Sequence, residues 1–227
     1  MLPLTLSLTR DDRARQAGSD DPRSVNSLVP IPAMPKRASS SKDIILLLLY
    51  AKGVKGQIAE PIAGRTRLMK MIFLFDKELR HDFELGNVIA DEAMPNFVAF
   101  DYGPFSANVY ADIEFLVGLN FIKVASTDEE LPEEEEAEFE HWQSSADDTE
   151  RDEYHLDLFA LTEIGKKFVS SGHAGELTVD QWHVLDRFKA RCTATSLRSL
   201  LQYVYSKYPE TTSKSKIRTQ ILSSERP

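Results

Sequence analysis

A single cysteine, Cys192, stands in the 227 residues. That excludes an internal disulfide framework and a multi-cysteine zinc module, and it fits a reducing compartment. Histidine is scarce too: His81, His141, His155, His173 and His183 never fall in the His-Glu-x-x-His spacing of a zinc helix. The chain has no Gly-x-Ser-x-Gly elbow, phosphate-binding loop or dinucleotide fingerprint. These absences predict a protein without catalytic site, metal or cofactor. Long apolar runs are missing as well. The longest, Ile44–Tyr50, is seven residues, against about 20 for a bilayer span. The N-terminal arginines are interrupted by Asp11, Asp12, Asp20 and Asp21, without the apolar block of a secretory signal. The cytoplasm is the expected location and no membrane partner is expected.

What is present is charge, unevenly spread. The net charge of −9 conceals one segment, residues 127–154, with fourteen acidic groups and one basic group. Residues 187–227 are the opposite, with nine basic and two acidic groups. The run Glu133–Glu136 lacks the spaced oxygen ligands and turn glycine of a calcium loop. It reads as a solvated insert or as a docking strip for a basic partner.

Residues 1–42 hold five prolines and no sustained periodicity, and are expected to form a flexible N-terminal arm. Asp43 is the expected N-cap of a short buried helix, Ile44–Ala51. The strongest helix signal is Thr66–Arg80, where Leu68, Met71, Ile72, Phe75 and Leu79 form one apolar stripe. Arg65, Arg67, Lys70 and Lys77 fall largely off it. Phe97–Phe100 reads as a strand and Asp101-Tyr102-Gly103-Pro104 as a turn. Ser106 is placed to cap a helix over Ala107–Val117, with Val109, Ile113, Leu116 and Val117 inward. Phe121–Val124 and Tyr154–Phe159 are expected to pair as strands across the acidic insert. Thr162 and Thr178 open further helices, and Ser196–Tyr205 is another amphipathic stretch, stopped by Pro209. A last short amphipathic piece spans Ser213–Leu222.

Helix, helix, turn, helix and two-stranded hairpin is the order of a winged helix–turn–helix. The expected fold is α+β and mainly helical, with that core and additional C-terminal helices. The expected divisions are a domain over 43–172, carrying the acidic wing insert 127–153, and a helical extension over 173–227.

Three stretches carry a resemblance: GRTRLMKMIFLFDKEL (Gly64–Leu79), FDYGPFSANVYADIEFLVGLNFI (Phe100–Ile122) and LDLFALTEIGKKF (Leu156–Phe168). They resemble uncharacterised prokaryotic and phage-associated winged-helix proteins and, more distantly, the Panacea and SocA-like antitoxin domains. Leu68, Lys70, Phe73 and Leu74 match the helix pattern; Tyr102, Gly103, Pro104 and Ser106 match the turn. The long acidic insert and the N-terminal arm depart from the pattern. The resemblance implies a non-enzymatic regulatory module, antitoxin- or adaptor-like, that engages a protein partner such as a toxin or defence-system component.

Two surfaces follow as candidates. Tyr102, Gly103, Pro104, Phe105 and Ser106 form the expected partner-binding element, unless the Gly-Pro turn simply starts a helix over a buried aromatic. The alternative is a DNA-binding transcriptional regulator with phosphate contacts from Arg65, Arg67, Lys70, Lys214, Lys216 and Arg218. Against it, the helix over 107–117 has Asp112 and Glu114 and no basic residue, whereas phosphate affinity needs lysine or arginine.

Overall fold

Ser40 caps the first helix, α1 (Ser41–Tyr50), and Asp43 sits three residues inside it. The Asp43 carboxylate accepts from Ser40 N at 3.2 Å and from Ser40 Oγ at 3.1 Å. The expected cap at Asp43 was therefore three residues late, because a capping box also places an acid at its third position. The computed structural model describes residues 38, 40–81, 85, 88–127, 156–172 and 176–223. The expected arm, apart from its last few residues, and the whole run Glu133–Glu136 lie outside the described residues. Ser41 and Lys42, assigned to the arm, belong to α1.

All six residues Ile44–Leu49 are buried, so α1 runs through the interior with no polar stripe. Strand β1 (Ile62–Ala63) follows, and Gly64, at φ 88°, opens α2 (Arg65–Leu74). The helix expected to run unbroken to Arg80 instead widens into a π turn over Phe75–Leu79. There Arg80 N donates to Phe75 O at 3.1 Å, five residues back. The apolar stripe is buried as expected, with Phe75 at 1% exposure.

A hairpin stands between α2 and the next helix. Its strands are β2 (Val98–Phe100) and β3 (Gly103–Phe105), joined by Asp101 and Tyr102. Gly103 and Pro104, expected within the turn, are thus ladder residues. Ser106 takes the cap position of α3 (Ala107–Gly118), although its hydroxyl accepts no capping bond. Val109, Ile113 and Leu116 face inward, but Val117, also expected inside, is 38% exposed.

Strand β4 (Ile122–Thr127) pairs antiparallel with β5 (Leu156–Leu161), with Val124 opposite Phe159. The expected pairing across the insert is present. β1 joins the other edge of β5, Ile62 opposite Phe159, giving the order β1-β5-β4. Helix α4 (Glu163–Ser171) begins at Thr162, whose side chain accepts from Gly165 N.

The C-terminal helices are α5 (Val179–Ala194), α6 (Leu197–Lys207) and α7 (Arg218–Ser223). Thr178 caps the first, as expected, and Ser196, expected only as the start of an amphipathic stretch, caps the second. Leu185, Leu200, Leu201, Val204, Tyr205 and Ile221 enter the same core as α1 and α2. The molecule is α+β and mostly helical, and its described residues form one three-stranded and one two-stranded antiparallel sheet. The expected helical extension closes this core.

Among the described residues four cations are buried: Arg80 pairs with Asp76 and Asp91, and the other three donate to backbone carbonyls. Lys189 Nζ reaches Leu49 O at 2.9 Å, Ala51 O at 2.8 Å and Glu60 O at 2.6 Å, satisfying the open end of α1. Arg67 Nη1 closes α5, donating to Cys192 O at 2.6 Å and Thr195 O at 2.5 Å. Lys70 Nζ donates to Pro104 O at 2.9 Å. Arg67 and Lys70 were expected off the apolar stripe. A helix covered on every side buries its polar positions too, and these two pair with carbonyls.

A candidate partner-binding surface

The hairpin is held from beneath. Gly103 adopts φ 84°, and a Cβ there would stand 2.8 Å from Cε1 of Tyr205. Asp101 O accepts from Lys216 N at 2.9 Å and from Ser215 Oγ at 3.1 Å. Ser215 Oγ in turn shares a 2.8 Å hydrogen bond with the Tyr205 hydroxyl. Burial pushes that phenol up to about 12, despite its bond to Ser215. With Lys70 on Pro104 O, the turn and β3 of the hairpin are fixed to the core.

Of the expected partner-binding residues, Gly103, Pro104 and Ser106 are buried and Phe105 is half-buried. Only Tyr102 is exposed, at 38%. The structural role set against the functional one therefore accounts for three of the five. The outer side of the hairpin adds residues that were not anticipated: Val98 is 56% exposed and Phe100 47%. Phe100 stacks on Phe105 with centroids 4.9 Å apart, and Phe105 meets Tyr110 of α3 at 5.3 Å. The Arg65 guanidinium lies 5.8 Å from the Tyr110 ring and is ion-paired to Asp157. Burial raises the Tyr110 hydroxyl above the usual phenol range; the Arg65 charge opposes this and the Asp157 charge adds to it. The signal for this ladder was available in Val98-Ala99-Phe100, whose alternation puts both large side chains on one face.

Compared with known proteins, the chain matches no family model, no curated protein and no solved structure. The surface has to be read from its own chemistry.

The residues expected to contact phosphate do not assemble. Arg67 and Lys70 are buried on carbonyls, which corrects their expected exposure. Arg65 is exposed but paired with Asp157, and Lys216 is paired with Asp101 at 3.0 Å. Lys214 is exposed and Arg218 half-buried, both near the C-terminus. On α3, Asp112 is buried and accepts from Ser41 Oγ and from Lys42 Nζ. Asn108, Ala111, Glu114 and Phe115 face outward, and Lys42 Nζ sits 5.1 Å from the Phe115 ring. That helix face carries no basic residue. Among the described residues, no group of three or more His, Cys, Asp or Glu could hold a metal, and no helix is long and apolar enough to cross a membrane.

Proposed function

We propose that this chain is a non-enzymatic binding module built on a winged helix, antitoxin- or adaptor-like, that engages a protein partner through the outer face of the β2–β3 hairpin and α3. The succession α1, β1, α2, α3, β4, β5, with β1 on the far edge of β5, supports the winged-helix reading. The observation that carries the functional reading is the exposed aromatic ladder on a clamped hairpin. Interface hot spots favour rigid aromatic side chains, because they bury large areas while losing little rotamer freedom. Val98, Phe100 and Tyr102 supply such area at an edge whose backbone is already fixed. The resemblance to antitoxin-like domains supports a toxin or defence-system protein as the partner.

Direct DNA binding has less behind it. The helix that would enter a groove offers Glu114 and Phe115, and the nearby guanidinium of Arg65 is already neutralised.

The test is affinity capture from the native host, followed by titration of the captured protein against wild type, Phe100→Ala and Tyr102→Ala. Loss of at least tenfold in affinity for each variant, about 1.4 kcal/mol, with melting temperature nearly unchanged, is the expected result. Equal affinity for all three chains would overturn the reading. Recovery of nucleic acid displaced by moderate salt and indifferent to both variants would replace it with DNA binding.

A further inference from the structure

A second feature shares no residue with the aromatic face. Between the π turn after α2, α5 and α6 lies a cleft of about 680 Å³, within the range that takes a small molecule. Leu74, Leu79, Val184, Phe188, Cys192 and Leu200 supply its apolar lining.

The charged lining is asymmetric. Arg187 and Arg191 stand one helical turn apart on α5, on one face. Among the described residues, Arg187 Nε donates to the carbonyl of His183, at 3.3 Å. Arg191 pairs with no acid among the described residues. The one carboxylate in the lining, Glu78, is already engaged. Its Oε1 accepts from the Tyr203 and Tyr208 hydroxyls, each at 2.9 Å, and from Lys207 Nζ at 3.0 Å. Lys207 cancels the Glu78 charge, while neither arginine pairs with an acid among the described residues. An apolar lining with two guanidinium groups that no described acid neutralises matches a ligand with an apolar body and an anionic head. A carboxylate suits the planar fork of arginine best, since it accepts two parallel hydrogen bonds.

We infer that this cleft is a binding site for a small amphiphilic carboxylate, its head held by Arg187 and Arg191 and its apolar body against Phe188 and Leu200. The proposal is independent of the partner-binding reading, and either can fail alone.

The probe is decanoate, kept below its micellar range and titrated calorimetrically into the full chain, with decanol as the uncharged comparison. Saturable one-to-one binding of decanoate, at least tenfold tighter than decanol, is expected. Arg187→Gln combined with Arg191→Gln should abolish that preference; both positions are exposed, so the fold should survive. Ser199→Trp adds bulk at an exposed lining position and should block both ligands. Cys192, the only thiol, should react more slowly with a small thiol reagent when decanoate is bound, and the Ser199→Trp chain should lose that protection. Non-saturable uptake, or decanoate binding unchanged in both variants, would overturn the proposal. So would binding confined to carboxylate-ended peptides, which would make the cleft a peptide groove.

Discussion

Gly103 packs edge-on against Tyr205, and the contact leaves no room for a β-carbon. Gly103 also sits at φ 84°, where an L side chain is disfavoured. Gly103→Ala thus meets both backbone strain and the Tyr205 ring. We expect a loss of about 2–4 kcal/mol from these two costs together, read by urea denaturation. Stability within a few tenths of a kcal/mol of wild type would mean that the hairpin is not clamped as described.

Lys70 and Lys189 are both buried, but they serve different numbers of acceptors. Lys189→Met would strand three carbonyls, those of Leu49, Ala51 and Glu60. A loss of about 3–5 kcal/mol is expected from leaving such groups unmet. Lys70→Met strands one, that of Pro104, while removing the cost of a buried amine. Its effect should be below about 1 kcal/mol in either direction. Equal effects would contradict the assigned bonding.

Stability should depend on pH with a defined sign. Burial pushes the Lys70 and Lys189 ammonium groups down to about 7. Above that pH the unfolded chain holds protons that the folded chain has released, so stability rises with pH. Burial acts oppositely on acids, raising Cys192, Tyr205 and Tyr208 to about 12. The folded chain then keeps protons that the unfolded chain sheds from about pH 9 upward, which acts against the rise. The melting temperature should climb from pH 7 to about 10, because the two lysines outweigh the acids until the unfolded chain sheds its lysine protons as well, and then turn over. Lys70→Met should flatten the climb; an unchanged slope would show that Lys70 does not titrate there.

Phe75 and Phe100 offer a contrast between core and surface. Phe75→Ala should cost about 3–5 kcal/mol, because the ring is 1% exposed and cannot be replaced by solvent. Phe100→Ala, starting from 47% exposure, should cost no more than about 1 kcal/mol. Thermal or chemical denaturation of the two variants checks both.

The elements carried by periodicity were legible in advance. The stripe from Leu68 to Leu79, the β4–β5 pair and the caps at Thr162 and Thr178 all follow from spacing and local hydrogen bonding. Features that depend on tertiary contact were not. Arg67 and Lys70 look solvated on a helical wheel, since spacing cannot show that α5 and the hairpin cover that side. The π turn at Phe75–Leu79 leaves the apolar pattern almost as an α-helix would. At the candidate site, Tyr102 was identified from its turn, whereas Phe100 and Tyr110 were missed. Their stacking through Phe105 joins a strand to a helix, and no local signal records it.

Two of the buried cations also tie distant stretches of chain together: Lys189 holds residues 49–60 from α5, and Arg67 holds the end of α5 from α2. Removing residues 173–227 would not trim an ornament from a self-sufficient fragment. It would delete the donor for the end of α1, leave Arg67 without its carbonyls, and uncover the inner sides of α1 and α2. A shortened chain ending near residue 172 should therefore be prone to aggregation and sensitive to proteases, and heating the full chain should melt the helices α1 to α7 in one cooperative step.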